Sequence, residues 1–116
     1  MARYTFVVLT NAVKDQDEEF NDWYDNRHLP DVLACNGFVA AQRFRLTEMD
    51  PEQEFSHRYL ALYEVETDDL VKANQALTEA AANGAMFISP SLNMDDAVAK
   101  YFTPLGERVT AETFGS

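Results

Sequence analysis

Between Glu19 and Leu33 the chain gathers an indole, a phenol, a guanidinium and an imidazole among several carboxylates. On a helix, Phe20, Trp23, Tyr24 and Arg27 fall at positions i, i+3, i+4 and i+7, and His28 lies one turn beyond Tyr24 on nearly the same face. That face is the apolar one and looks inward. An imidazole beside a phenol in an apolar setting is equipped for proton transfer: His28 as general acid or base, Tyr24 as a hydrogen-bond donor to a substrate oxygen, with Trp23 as a wall. The plain alternative is a helix-end histidine bonded to a carbonyl and two ordinary core aromatics. Asp25, Asp31 and the end of a helix all favour a cationic imidazole, so the proton affinity of His28 is expected to be raised.

Further polar groups sit on strand-like segments. Arg43 could orient a carboxylate or phenolate, although the surplus of acids offers it ordinary surface partners. Asn11, Tyr63 and Tyr101 occupy positions from which they could line a cleft, and Phe44, Phe87 and Ile88 could enclose it. His57, beside an acidic loop, is expected to face solvent. Cys35 reads as a small buried hydrophobe. No Gly-rich phosphate loop, Gly-x-Ser-x-Gly elbow or metal-ligand spacing occurs, so neither a metal nor a cofactor is expected.

Composition excludes several classes. Twenty acidic against nine basic residues give a formal charge of −11, which opposes binding to nucleic acid or to anionic membranes. A single cysteine fits a reducing compartment. No apolar run approaches the ~18 residues that span a bilayer, so a soluble, cytoplasmic protein is expected. The length suits one domain with a two-layer core.

The elements that position these residues follow from periodicity. Arg3 to Thr10 alternates Tyr4, Phe6 and Val8 with Thr5, Val7 and Leu9, a strand apolar on both faces that needs cover on each. Asp15 and Glu18 have the form of a capping box for a helix starting near Gln16. Pro30 is expected to end or kink that helix, leaving a short turn from Asp31 to Cys35 before Asn36-Gly37. A second strand runs from Phe38 to Leu46, with Phe38, Ala40, Gln42 and Phe44 on one face. The acidic stretch Thr47 to Ser56 is a hairpin connection to a third strand, Arg58 to Glu66. Thr67-Asp68-Asp69 caps a second helix with an Ala-rich apolar stripe that closes at Asn83-Gly84. Ala85 to Asp96 has no clear period, and Ala97 to Thr103 supplies a last strand.

The order β-α-β-β-α-β predicts an α+β, ferredoxin-like domain: a four-stranded antiparallel sheet with both helices on one face. The uncovered apolar face calls for a second copy, giving a homodimer.

The run Phe20-x-x-Trp23-Tyr24-x-x-x-His28-Leu29-Pro30-Asp31-Val32-Leu33, with Asn36-Gly37-Phe38 and Gln42-Arg43-Phe44, resembles the dimeric α/β-barrel superfamily and within it the EthD-like group. The commonest form has Pro where this chain has Asn36. The resemblance implies a cleft between sheet and helices and a dimer through the other sheet face. Its relatives include cofactor-free isomerases, cyclases, monooxygenases and dehydratases. The haem-degrading branch carries its histidine on the second helix, where this chain has none. The expected function is thus a cofactor-independent lyase, isomerase, cyclase or dehydratase acting on a small apolar oxygenated substrate, aromatic, polyketide-like or a lactone. A non-catalytic ligand-binding or stress-responsive dimer and a cofactor-free or haem monooxygenase are the alternatives.

Overall fold

The computed structural model describes residues 1–115. Four strands, β1 (Ala2–Thr10), β2 (Phe38–Arg45), β3 (Tyr59–Thr67) and β4 (Val98–Phe102), form one antiparallel sheet in the order β2-β3-β1-β4. Residues of even number in β1 and odd number in β3 and β4 share one face, because the registers pair Phe6 with both Tyr63 and Tyr101, and Val8 with both Ala61 and Ala99. The helices cover this face. Phe20, Trp23 and Tyr24 meet Phe6, Tyr63 and Val65 in a single buried cluster. Complete burial of a side chain such as Phe20 stabilises the fold by roughly 1.5–3 kcal/mol. The ferredoxin-like order is therefore the observed one.

Three local expectations are corrected. The faces of β2 exchange after its first residue, because the register slips between Phe38 and Ala40 and leaves Val39 as an extra residue. Ala41, Arg43 and Arg45 consequently share the helical face with Phe38, while Ala40, Gln42 and Phe44 turn to the open face. Alternation without the bulge predicts the opposite.

The helix does not stop at Pro30. Helix α1 (Asp17–Trp23) runs through a wide π-type turn, Tyr24–His28, into α2 (Leu29–Leu33). Leu29 donates its N–H to the Tyr24 carbonyl five residues back. The wider turn changes the hydrogen-bond partners just where Pro30 has no N–H to give, so the ring is absorbed early in α2 rather than breaking the run. The capping box is also absent. Asp15 takes a left-handed conformation, φ 65°, and Gln16 precedes α1 without a side-chain cap. Asp17 instead accepts a 2.6 Å hydrogen bond from the Tyr59 hydroxyl.

Helix α3 (Leu70–Ala82) begins as expected, with the Asp69 carboxylate accepting from the Lys72 N–H at 3.0 Å. Ala73 is its buried contact, with Leu70, Leu77 and Ala80 packed beside it. From Ala85 to Asp96 the chain forms no regular element among its residues except a bridge from Leu92 to Ala12, and Met86 is buried. No helix among the described residues is long and apolar enough to cross a membrane.

Candidate functional site

A cavity of about 520 Å³ opens between the sheet and the helices. Phe6 and Tyr63 floor its deep end, Val32 and Met86 close it, Leu77 of α3 and Ile88 of the irregular segment form sides, and His28 projects into it. Its exposed lining comes from Thr78 and Ala81 on α3, Met94 of the irregular segment and Lys100 of β4.

The π turn sets His28 in an aromatic frame. Its ring stacks on Trp23 with centroids 4.6 Å apart and planes 27° apart, and stands edge-on to Tyr24 at 4.8 Å. Its Nδ1 is buried and meets no hydrogen-bond partner among the described residues. Burial in this apolar frame pushes the pKa of His28 down to about 4, assisted by the Arg43 cation and opposed by Asp31. The expectation of a raised value is overturned for a structural reason. The helix continues past His28, so no helix end supplies negative potential. Asp25 is engaged by Arg43 at 2.8 Å, and Asp31 by Arg27 at 3.2 Å. Desolvation wins, and the imidazole is neutral at pH 7.

Tyr24 does not line the cavity. Its hydroxyl lies 2.8 Å from that of Tyr63, which does. Burial raises the pKa of both phenols, Tyr63 the more strongly because Tyr24 adds to the effect. Both remain protonated. Only one of the two hydroxyl hydrogens is used between them, leaving a second to donate elsewhere. Tyr101 also faces the cavity, stacks on Phe6 at 4.2 Å, and donates to Asn74 Oδ1 at 2.9 Å. Its pKa is pushed up to about 12, chiefly by burial.

Of the residues singled out in the sequence, the cavity brings together His28, Tyr63, Ile88 and Tyr101. Trp23 stands behind His28, its Nε1–H donating to the Phe87 carbonyl at 3.0 Å. The Phe87 ring itself is exposed and lies beneath Arg27. Phe44 is on the open face, turned there by the Val39 bulge. Arg43 is outside the cavity, its guanidinium 4.3 Å from the centre of the Tyr24 ring and donating to Asn21 at 2.7 Å and to Asp25 at 2.8 Å. Asn11 clasps loops, donating to Ser56 O and Asp96 Oδ2 and accepting from the Arg58 N–H. His57 is half-buried rather than solvent-facing, with Nε2 2.6 Å from the Asp96 carbonyl. Cys35 is half-buried, and burial raises its thiol pKa.

Periodicity misses Asn74, Leu77 and Met86 as lining residues. Leu77 is legible only as part of the α3 stripe, and Asn74 shares its helix with no sign that a tyrosine 27 positions later would claim it.

Sheet, helical roof and cavity define a class, the ferredoxin-like α+β fold. Residues 3–113 match the family described as Domain of unknown function (DUF4286), and the chain belongs to that family. Among solved structures it is similar to a dimeric ferredoxin-like protein from an uncultured marine organism, with 14% identity, TM-score 0.61, and 93% of this chain and 100% of that one covered. It is similar to an EthD-like protein from Ralstonia eutropha JMP134 at 12% identity, TM-score 0.61, covering 93% and 96%. A mutant form of SnoaB, a cofactor-independent oxygenase from Streptomyces nogalater, is similar at 18% identity, TM-score 0.56, covering 92% and 97%. These likenesses establish the fold expected from the EthD-like motif. No curated sequence matches the chain.

Proposed function

We propose that this protein is a cofactor-independent enzyme in which neutral His28 removes a proton from a small, largely apolar, oxygenated substrate. The carrying observation is an uncharged imidazole, framed by Trp23 and Tyr24, on the lining of a 520 Å³ cavity. A depressed pKa keeps His28 unprotonated at neutral pH, so the ring is free to accept a proton and holds none to donate as an imidazolium. The Tyr63 hydroxyl, held by Tyr24, donates to the substrate oxygen on which charge develops. Ile88, Leu77 and Met86 exclude water, and Tyr101 with Asn74 presents the second polar point. The substrate classes that fit are aromatic ketones and phenols, polyketide-like rings and lactones, and the reactions are isomerisation, cyclisation, dehydration or lyase chemistry. The homodimer forms through the open sheet face, where Val7, Leu9, Leu60, Leu62 and Phe102 are exposed or half-covered.

The likeness to SnoaB favours one second reading, in which dioxygen is the oxidant of the carbanion or phenolate that His28 generates. Both share the same first step, so that step is the one to test. The enolisable ketone 2-tetralone is incubated in D2O with the protein, and loss of its α C–H signal is followed by NMR beside an oxygen electrode. Exchange about 10²-fold above buffer, abolished in His28→Ala, is the expected result. Oxygen uptake in parallel selects the second reading. Saturable binding without exchange across a panel of such ketones, phenols and lactones replaces catalysis by ligand capture.

A further inference from the structure

We propose that the C-terminal arm, Pro104 to Gly115, is an intermolecular clasp that packs on a second copy of this chain. The arm extends the proposed sheet-face dimer, and the clasp rests on that reading. A compact chain of this length has a radius of gyration of about 13 Å. The observed value is 16.1 Å, with extents of 48 × 42 × 22 Å. Every described residue after Phe102 is exposed, and these include large apolar side chains: Leu105 at 104% relative exposure, Val109 at 58% and Phe114 at 78%. A chain that leaves three such groups in water has a surface still to be covered.

The arm is nevertheless shaped. Thr110 and Thr113 bond reciprocally, the Thr110 N–H donating to Thr113 Oγ1 at 3.0 Å and the Thr113 N–H to the Thr110 carbonyl at 3.0 Å. This closes the turn Ala111–Phe114 and presents Phe114 at the tip. A preshaped apolar tip loses less entropy on docking than a free tail would.

Where the arm starts says what it meets. Phe102 pairs with Thr5 and shares the open face, and Pro104 borders a groove with Arg3, Thr5, Val39, Glu64 and Glu66 on that same side. The arm therefore leaves from the rim of the face that packs on the other copy. The seven residues from Pro104 to Thr110 can reach about 23 Å at ~3.3 Å each, enough to cross a four-stranded sheet about 15 Å wide. In a two-fold pair each arm finds an identical landing surface, and the contact closes at two copies.

Sedimentation equilibrium of the full chain, of the chain ending at Thr103, and of the full-length Leu105→Asp/Phe114→Asp variant tests this. The full chain should be a dimer, and both variants should dissociate at least about tenfold more readily. Equal dissociation constants overturn the clasp while leaving the sheet-face dimer standing; a full chain that is monomeric throughout overturns both. Should the shortened chain fail to fold, a photocrosslinker at Val109 in a mixture of isotopically light and heavy protein decides. Light–heavy products are expected, and exclusively intramolecular products overturn the clasp.

Discussion

Tyr24 and Tyr63 come from the π turn and the internal strand β3, and their hydroxyls meet at 2.8 Å with almost no exposure of either residue. This contact ties the helical run to the sheet at the point where His28 enters the cavity. Of the two phenols, Tyr63 is the one that lines the cavity.

Single replacement of either tyrosine leaves the other hydroxyl without its buried partner. Tyr24→Phe and Tyr63→Phe should each destabilise the fold by about 1–3 kcal/mol in urea unfolding, and the double variant should cost less than the sum. Only the variants lacking the Tyr63 hydroxyl should strip the cavity of its donor. Tyr24→Phe should slow turnover less than Tyr63→Phe does.

Arg43 is a cation held over an aromatic ring, outside the cavity that His28 lines. Its side chain is 13% exposed and forks between Asn21 and Asp25 above the Tyr24 ring. Arg43→Met should lower stability by about 1–2 kcal/mol, and Arg43→Lys should restore little of it, since a lysine lacks the planar fork. The Michaelis constant should be nearly unchanged in both.

The mouth of the cavity can be closed without touching the chemistry. Ala81→Trp places an indole beside the exposed entry while α3 keeps its buried Ala73 contact. Binding of 2-tetralone, read by quenching of Trp23 in an Ala81→Phe counterpart and by calorimetry in Ala81→Trp, should fall at least about tenfold with unfolding midpoints little changed.

Stability should depend on pH through His28. Its folded-state pKa is depressed from 6.5 to about 4, so between those values the unfolded chain binds a proton that the folded chain refuses. The contribution is therefore complete above about pH 6.5 and is lost as pH falls toward 4, amounting to about 3 kcal/mol. Urea unfolding from pH 7 to pH 4 should show this loss in the wild type and a shallower slope in His28→Gln.

The fold was legible because each strand and helix carries its own period and the order of elements leaves few topologies. The imidazole on the cavity lining was legible in the sequence, but its electrostatics were not. Sequence proximity places Asp25 and Asp31 beside His28, whereas Arg43 and Arg27 take up those carboxylates in space. The Val39 bulge and the π turn before Pro30 have no unambiguous local signature: each is a one-residue change of register, and each re-aims the side chains that come after it. Val39 sends Phe44 to the open face and brings Arg43 over Tyr24.

The neutrality of His28 and its place in the cavity can be read together by ¹⁵N NMR of its ring from pH 3 to pH 8, with and without saturating 2-tetralone. A neutral ring down to about pH 4, with shifts that move when the ketone binds, is the predicted result. A midpoint at or above 6.5, untouched by ligand, would contradict a buried base at this site.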